Sequence, residues 1–471
     1  MKKSTITGSG ITNPIPSHPL ATRAGPFLFM SGQMGLSERS GRPVQRYGEL
    51  GGEPPFPALG LLAPDSWEEA FVAQTRTIYN RIAMLLEEQG STPDDIVFHS
   101  VYVRNMRDFP TLARTRSRLF QGGLAPPVTT SQISGLPLPD AVVYFDPIGF
   151  VTADGYRLET LRSREIEQAA LSNYQFGSKV GPLLFFAGVV AAVPERGAVV
   201  QGLKDLPARI HVTEPRLSPA ARACHEAMRA QTAFVYDLFG RFLREQGLSF
   251  ADLLKLNIYL RDVRTTDVLE QVAGELAPAA DPAVALYGVE SLATRFFLIE
   301  IEGIALDRAG QWRKETLASL ADPEDPIVSH GRYPVATRAG PLVFTSTLTA
   351  YRDGANGILE DHRGLPDDGR RAVEDVVSCQ LHLRRSAAAL RTAAQAWLVY
   401  DRLARIAAHF GCGRDDFLKT TVYLADMSDF DVVEAIAARF FPHEPPALAV
   451  LQPSGLSMPD ARVQIDAVLL C

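Results

Sequence analysis

The sequence has few cysteines, and its histidines follow no metal-binding pattern. Four cysteines occur in 471 residues, and no two of them have the CxxC spacing. This scarcity argues against a secreted disulfide framework. Each cysteine is therefore interpreted as a small, inert hydrophobic residue: Cys224, Cys379, Cys412 and Cys471. The nine histidines form neither HxxxH nor HExxH, so we predict no metal site and expect no other cofactor.

The sequence also lacks a long apolar run and an excess of positive charge. The first residues, MKKSTITGSG, have two lysines but no apolar stretch behind them, unlike a signal peptide. The stretch that most resembles a membrane span is VGPLLFFAGVVAAVP at 180–194. It is uncharged, but glycine and proline interrupt it. It is shorter than the about 20 residues a span needs and predicts a buried strand. A net charge of −7 disfavours nucleic acid and membrane partners, and we expect a small-molecule ligand and a cytoplasmic location.

One segment of the sequence is repeated almost identically, as PLATRAGPFLF at 19–29 and PVATRAGPLVF at 334–344. A less similar copy, SKVGPLLFFAG, lies at 178–188. The same markers follow each copy in the same order, namely an Ala-Gln pair, a glycine, and a tyrosine within an alternating apolar run. They are Ala73, Gln74, Gly90 and Tyr102, then Ala230, Gln231, Gly247 and Tyr259, then Ala394, Gln395, Gly411 and Tyr423. The shared order predicts three tandem units, 1–165, 166–322 and 323–471.

Each unit mixes strand and helix patterns. Helical spacing places apolar residues on one face in the first unit (Ile78, Ile82, Leu85, Leu86) and in the third (Leu403, Ile406, Phe410). A period of two separates Leu254, Leu256, Ile258 and Leu260 from Lys255, Asn257 and Tyr259, which is typical of a strand. Second helices are predicted to begin near Asp108, Thr266 and Asp429, and long loops at 37–66, 194–219 and 351–375. The fold class is therefore α+β, with helices covering one face of each sheet.

The ordered segments AGPFLFMSGQ, AQTRTIYNRIAMLLEEQG, DIVFHSVYVRNMRDF and LAPPVTTSQISGLP of the first unit resemble the RidA (YjgF/UK114) family. The other two units follow the same pattern more loosely. The resemblance implies a chorismate-mutase-like fold, in which sheets surround a threefold axis, helices lie outside and ligand clefts lie between neighbouring units. It implies that this chain is a RidA-like trimer fused into one polypeptide, a pseudotrimer that is a monomer in solution and whose three clefts are free to differ.

The family's carboxylate-binding arginine is absent from all three units. RidA proteins hydrolyse reactive enamines and imines such as 2-aminoacrylate, and this arginine holds the substrate carboxylate. Its positions in this sequence are occupied by Val128, Val284 and Leu448. An apolar side chain cannot replace a bidentate guanidinium. We therefore expect no appreciable hydrolysis of 2-aminoacrylate, unless another basic residue such as Arg295 has taken over.

The resemblance also implies candidate positions for the remaining cleft residues. The family's tyrosine matches His18, Tyr174 and Tyr333, and its serine matches Ser31, Ala187 and Ser346. The position that is often cysteine matches Thr130, Leu286 and Val450, and an asparagine of the second helix matches Ala113, Glu270 and Glu434. The acidic residue of the last strand matches Asp146, Glu302 and Asp466. The candidate catalytic residues are Glu302, Asp146, Asp466 and Tyr174, and the candidate substrate-binding residues are Ser31, Thr130, Glu270, Glu434, Tyr333, Ser346 and His18.

These residues also have structural interpretations. The three acids could lie on the solvated face of a strand or in ion pairs, and His18, in a proline-rich and exposed-looking segment, could have a surface role. Glu270 and Glu434 could be solvated helix residues, and the tyrosines could simply pack. If the positions line clefts, the lost arginines and gained glutamates predict a negative, partly apolar environment. Such clefts would favour a neutral or cationic group over a carboxylate.

Three functions remain open from the sequence. The first is a diverged RidA-type enzyme that uses acid–base catalysis on an imine, enamine or carbonyl compound, in specialised-metabolite biosynthesis. The second is a ligand-binding or regulatory scaffold without catalysis. The third is a chorismatase-like hydrolase, which shares the fold but which an arginine-poor cleft fits badly because its substrate is a dicarboxylate.

Glu302→Gln is expected to abolish activity or ligand binding while leaving the fold intact. Glu302 reaches one methylene further than Asp146 or Asp466, and its unit retains Tyr174. If Glu302 shares a cleft with Glu270, repulsion between them would raise the pKa of one carboxyl. The measurement is turnover of the variant at an unchanged melting temperature. Full activity would instead direct attention to Ser31, Thr130 and Asp146.

Overall fold

The computed structural model describes most of the chain. The residues outside the description are 9, 51–65, 121–123, 154, 165, 167–173, 195–196, 214–218, 324, 330, 353–356 and 380–386, together with the side chains of 66–68 and 219–224. The side chain of Cys224 and parts of the three predicted loops therefore lie outside the described residues. The described part contains three large mixed sheets, each packed against its own helices.

The first sheet has the order β1-β2-β3-β7-β5-β6, with β4 added beside β7. Its strands are β1 (Lys3–Ile6), β2 (Ala21–Ala24), β3 (Phe27–Met30), β4 (Gln33–Met34), β5 (Ile96–Val103), β6 (Val128–Gln132) and β7 (Val143–Phe150). The helices of this unit are α1 (Ser66–Glu88) and α2 (Phe109–Leu119). Strands β5 and β6 are parallel, and α2 supplies the crossover between them.

The second sheet repeats this arrangement with β8 (Leu158–Leu161), β9 (Gly177–Val180), β10 (Leu183–Val190), β13 (Leu253–Leu260), β14 (Ala283–Gly288) and β15 (Ile299–Leu306). Its helices are α3 (Pro219–Glu245) and α4 (Thr266–Leu276), and a small hairpin joins β11 (Ala192–Val193) to β12 (Ala198–Val199). Because β8 pairs with β9, the second sheet begins before residue 165, where the sequence analysis placed the first boundary.

The third sheet contains β16 (Lys314–Leu317), β19 (Ala336–Ala339), β20 (Leu342–Thr345), β23 (Phe417–Leu424), β24 (Ala447–Leu451) and β26 (Val463–Leu470). Its helices are α5 (Asp367–Cys379), α6 (Ala387–His409) and α7 (Phe430–Phe440). Short pairs join β17 (Ser319–Leu320) to β18 (Ile327–Val328) and β21 (Tyr351–Arg352) to β22 (Gly357–Ile358), while β25 (Gly455–Leu456) adds to the second sheet. Helix α5 begins inside the stretch 351–375, so the prediction of an uninterrupted loop there is wrong.

The sequence patterns explain why these elements form. The apolar face predicted for the first unit is buried, and Gly90, Gly247 and Gly411 follow α1, α3 and α6 with φ of 75°, 75° and 79°. Glycine adopts this left-handed conformation without a Cβ clash and so ends each helix at the same point. The second helices begin within one residue of the predicted positions.

The strand alternation holds with one exception. Leu256, Ile258 and Leu260 pack under the helices of the second unit, whereas Lys255 and Asn257 face the centre of the molecule. The pairing of β13 with β15 shifts register between Leu253 and Lys255. This bulge turns Leu254 into the central apolar cluster, so the prediction that it points the same way as Leu256, Ile258 and Leu260 is wrong.

The three units form a closed ring through equivalent contacts. A hydroxyl at the same place in each unit donates to a backbone carbonyl of a neighbouring unit: Thr22 to Leu418 (2.5 Å), Ser178 to Val97 (2.6 Å) and Thr337 to Leu254 (2.7 Å). Backbone bridges follow the same order, Gln132 with Ser291, Gly288 with Gly455 and Gly135 with Gln452. Each unit therefore contacts both others around a common axis.

The interior is divided into outer and central clusters. One core lies between each sheet and its helices, and two further clusters combine residues of all three units. One central cluster contains Phe29, Phe185 and Phe344, and the other contains Tyr102, Tyr259 and Tyr423. The central clusters bury surfaces that no single unit could cover alone.

The cysteines differ from the sequence prediction. Cys412 and Cys471 form a disulfide that ties the last residue of the sequence to the turn after α6, so their interpretation as inert hydrophobic residues is wrong. Cys379 is an exposed free thiol. Among the described residues, no helix is both long enough and apolar enough to cross a bilayer.

The closed ring predicts a monomer in solution, because no unit is left with an unfilled position for another chain. Sedimentation equilibrium at micromolar concentration should therefore give a mass near 51.4 kDa. A mass close to that of three chains would contradict this expectation, since the units would then pair between chains.

Candidate functional site

The last strand of each unit brings an acid to the central axis. Asp146 on β7, Glu302 on β15 and Asp466 on β26 pair in register with Ser100, Asn257 and Thr421 of their own sheets. All six residues line one cavity of about 90 Å³ on the axis, which we call the axial cavity. Its apolar end is formed by Phe29, Phe185, Phe344, Ile148, Ile304 and Val468.

Two of the three acids are neutralised by a lysine from another unit. Lys255 lies 2.5 Å from Asp466 and also donates to the carbonyl of Thr345 at 2.6 Å. Lys419 makes the equivalent ion pair with Asp146 and donates to the carbonyl of Met30 at 2.9 Å. The alternative that these acids form ion pairs therefore describes Asp146 and Asp466.

The third acid has no such lysine. The position equivalent to Lys255 and Lys419 is held in the first unit by Phe98, which lines the cavity. Glu302 accepts instead from Asn257 Nδ2 at 2.6 Å and Ser100 Oγ at 3.1 Å. Its Oε2 is buried and has no hydrogen-bond partner within the described structure. Burial raises the pKa of the Glu302 carboxyl, and these donors oppose the rise.

A second carboxylate, Glu300, lies two residues before Glu302 on β15. The equivalent residues of the other units close their junctions: the Tyr144 hydroxyl accepts from Val450 N at 3.1 Å, and Gln464 Nε2 donates to the carbonyl of Leu286 at 3.0 Å. Glu300 is 7% exposed, and its Oε2 has no hydrogen-bond partner in the described part of the chain. Burial first, and then the neighbouring Glu302, raise the pKa of the Glu300 carboxyl well above its usual range.

The helix side of the junction between units 1 and 2 holds a buried arginine. Arg116 on α2 is 1% exposed, and none of its three guanidinium nitrogens has a hydrogen-bond partner among the described residues. Its guanidinium carbon lies 5.3 Å from the ring centre of Tyr174, which belongs to the second unit. The equivalent helix positions in the other units are Ala273 and Ala437.

His99 and Tyr79 lie beside this arginine. The Tyr79 hydroxyl is 3.0 Å from His99 Nε2, and both residues are buried. Burial first, and then the charge of Arg116, lower the pKa of His99 to about 3, so its imidazole is neutral at physiological pH. His99 pairs in register with Val128, one of the three positions from which the family arginine is missing. We call this group, Arg116, His99, Tyr79, Tyr174 and Val128, the unit 1–2 cleft.

The junction between units 3 and 1 is filled by its own side chains. His18 is 5% exposed rather than on the surface, its Nδ1 is 3.0 Å from the carbonyl of Pro446, and burial lowers its pKa. Ser31 donates to the carbonyl of Pro19 at 2.6 Å and accepts from Leu448 N at 2.9 Å. Glu434 accepts a hydrogen bond from Ser17.

The junction between units 2 and 3 is arranged in the same way. Ser346 donates to the carbonyl of Pro334 at 2.6 Å and accepts from Val284 N at 2.8 Å. Tyr333 is buried beside Tyr236 and Glu270, and burial raises its pKa well above the usual range. Glu270 thus faces this junction while Glu302 faces Ser100 of the first unit, so the two do not share a cleft.

The unit 1–2 junction cannot make these bonds. At the other two junctions a serine accepts a hydrogen bond from a backbone amide of the neighbouring unit, and Ala187 stands in its place here. Glu300 stands where the other units have Tyr144 and Gln464. Thr130 is buried on the facing strand, where Leu286 and Val450 stand in the other units. The departures from threefold equivalence therefore collect at one junction.

The sequence analysis missed Arg116, His99 and Glu300. Arg116 and His99 lie at positions that the resemblance does not single out, and only the packing of α2 against Tyr174 shows their relation. Glu300 is likewise not singled out by the resemblance, although it lies on the same strand as Glu302. A comparison of the three repeats could have found all three, since each has a neutral counterpart in the other units.

Three fused α+β units packed around an axis, with ionisable residues gathered in an axial cavity, define the class of fold, and the comparisons with known proteins are consistent with it. The Endoribonuclease L-PSP family model matches residues 62–146, 218–307 and 376–471, which is more than half of the chain. The chain therefore belongs to this family, the RidA family, and carries it as tandem repeats.

Individual relatives show the same similarity. Reactive Intermediate Deaminase A of Arabidopsis thaliana is 25% identical over 215 residues, which cover 46% of this chain and 91% of the relative. Protein DfrA of Myxococcus xanthus is 35% identical over 75 residues, 16% of this chain and 56% of that protein. Among solved structures, a chorismatase covers 80% of this chain and 93% of its own, at 14% identity and a TM-score of 0.43.

Replacing Glu300 by glutamine should change how stability depends on pH. With its pKa raised in the folded state, Glu300 binds its proton more tightly when the chain is folded than when it is unfolded. The tighter proton binding stabilises the folded state fully at pH values below 4.5, the ordinary pKa of a glutamate. This stabilisation is lost as the pH rises toward the pKa that Glu300 has in the folded state. Over that window the free energy of unfolding of the wild type should fall by about 1.4 kcal/mol per pH unit relative to Glu300→Gln.

Denaturant unfolding from about pH 5 to about pH 8 measures this difference. Glu315→Gln, at an exposed position of β16, is the matched control and should leave the pH dependence unchanged. Parallel curves for the wild type and Glu300→Gln would show that Glu300 is ionised in the folded state.

Proposed function

We propose that this chain is an enzyme that hydrolyses a small imine or enamine bearing an anionic group, and that the unit 1–2 cleft is its active site. The observation that carries the proposal is the buried guanidinium of Arg116, which lies beside Tyr174 of the next unit and has no hydrogen-bond partner among the described residues. The alternatives left by the sequence, a non-catalytic scaffold and a chorismatase-like hydrolase, have no comparable observation in their favour.

A buried cation without an acceptor is costly for the folded state, and a substrate anion would relieve that cost. Arginine remains charged even though burial lowers its pKa, and its planar donors suit a carboxylate. The expectation that no cleft accepts a carboxylate rested on Val128, Val284 and Leu448. Arg116 supplies a cation from a helix instead of a strand, and it does so in one cleft of the three.

The acid–base group in this proposal is Glu300, assisted by Glu302. Two buried carboxyls two residues apart on one strand do not both ionise readily, so one keeps a proton near neutral pH. The proton is assigned to Glu300, since Glu302 accepts from Asn257 and Ser100 and is thereby favoured as the anion. Glu302 then acts as a positioning residue that keeps Glu300 protonated, which retains the expectation that Glu302→Gln loses activity.

The reaction balances with water as the co-reactant. Water adds to the imine carbon as Glu300 donates its proton to the nitrogen, and a proton from the added water returns to Glu300. The resulting carbinolamine loses ammonia and leaves a carbonyl compound. Asp146 and Asp466 do not enter this step, because each is paired with a lysine. One differentiated cleft in a fused chain suits one dedicated substrate, and we place the activity in specialised-metabolite biosynthesis.

Replacing Arg116 by methionine should raise KM with little change in kcat. The lost charge-assisted hydrogen bonds are worth about 1.5–3 kcal/mol, which corresponds to a KM increase of about 10- to 100-fold. Turnover of 2-aminoacrylate and related imino acids, followed by release of the keto acid, is the measurement. The melting temperature should stay the same or rise, because the substitution removes an unpaired buried charge.

Arg295→Met is the matched control, since Arg295 is exposed and its guanidinium lies over Phe296. It should leave both KM and the melting temperature unchanged. A large drop in melting temperature for Arg116→Met at unchanged KM would show that Arg116 has a structural role and would refute the proposed anchor.

A further inference from the structure

The axial cavity contains three acids but two lysines, whereas the threefold pattern would supply one lysine for each acid. Its three acids, Asp146, Glu302 and Asp466, face two lysines, Lys255 and Lys419. Both lysines make the same pair of contacts, one to a carboxylate and one to a backbone carbonyl. By sequence equivalence with Met30 and Thr345, the third set of partners would be Glu302 and the carbonyl of Phe186.

Phe98 occupies the place of the third lysine without replacing its charge. A phenylalanine side chain is shorter than a lysine side chain, so the position of the missing Nζ lies beyond the ring. Aromatic rings also attract ammonium groups through their faces. A small cation bound there would therefore meet a carboxylate and an aromatic ring.

The polar groups around this position are buried and incompletely bonded. Glu302 is 1% exposed and lines the cavity, and its Oε2 has no partner among the described residues. The hydroxyls of Tyr259 and Thr129 lie close enough to this carboxylate to oppose the rise of its pKa, but neither makes a hydrogen bond of normal geometry within the described structure. Buried polar groups of folded proteins nearly always have partners, so this combination points to a missing ligand.

The size and charge of the site select the class of ligand. A cavity of about 90 Å³ has room for a few water-sized groups. Two of the acids are already neutralised by lysines, which leaves one free carboxylate, too few anionic ligands for a divalent metal. Among the described residues, no group of three or more His, Cys, Asp or Glu side chains is placed so that it could hold a metal ion.

We propose that the axial cavity binds one small primary ammonium ion, ammonium or methylammonium, at the position that a third lysine would occupy. The ion would donate to Glu302 and to the carbonyl of Phe186 and contact the ring of Phe98. This site shares Glu302 with the mechanism proposed for the unit 1–2 cleft, but the binding of the ion does not depend on the activity proposed there.

Equilibrium dialysis of the full chain with radiolabelled methylammonium tests this proposal. Binding should saturate at one ion per chain, and ammonium chloride should displace it at concentrations where sodium chloride of equal ionic strength does not. Absence of saturable binding, or equal displacement by sodium, would overturn the proposal.

Two variants locate the site. Phe98→Lys supplies the missing charge from the protein and should abolish binding, whereas Phe98→Leu, the matched control, should retain it. Glu302→Gln is nearly isosteric and should also abolish binding at an unchanged melting temperature, which keeps the test valid if Phe98→Lys does not fold. Binding by Phe98→Lys or Glu302→Gln equal to that of the wild type would place the ion elsewhere and refute the proposal.

Discussion

Carboxylates brought together on one axis must be neutralised, and this requirement organises the centre of the molecule. Asp146 and Asp466 meet it with lysines from a neighbouring unit, so each ion pair also holds two units together. The ring places these groups between two apolar clusters, where water screens their charges poorly and pairing matters most. The remaining acid, Glu302, has lost its lysine and relies on neutral donors, which makes its junction unlike the others.

Fusion of the units makes this asymmetry possible. In a homotrimer a change of lysine to phenylalanine would remove all three ion pairs at once, whereas in this chain Phe98 affects one. The same junction carries Ala187 in place of a bonded serine, Glu300 in place of a bonded neutral side chain, and Arg116 in place of alanine. Such changes cost stability where they leave a buried polar atom without a hydrogen-bond partner among the described residues, as at Oε2 of Glu302 and of Glu300 and at the guanidinium of Arg116. Local departures from favourable packing and pairing are typical of ligand sites, and in this chain they are gathered at one junction.

The elements of the fold could be predicted from local patterns, whereas the partners across the junctions could not. Helical spacing, glycine at the end of each helix and strand alternation are properties of neighbouring residues, and the structure confirms them apart from the bulge at Leu254. The convergence of Asp146, Glu302 and Asp466 follows from their equivalent places in three repeats. Three contacts depend on how distant segments pack: Lys255 with Asp466 rather than Glu302, Arg116 with Tyr174, and Cys412 with Cys471. The spacing of residues in the sequence carries no information about such packing.

The arrangement of charged residues across the unit 1–2 junction indicates the orientation in which the proposed substrate would bind. Strand β6 contributes Val128 beside His99 and Arg116, and the next residue, Thr129, lies close to Glu300 and Glu302. A positive group and two acidic groups therefore flank a single edge strand. A molecule with an anion at one end and a basic nitrogen at the other would match both, whereas a dicarboxylate would match only Arg116 and meet repulsion from the acids. An imino acid has this polarity, and its hydrolysis needs a proton at the nitrogen end, which the proposed mechanism assigns to Glu300.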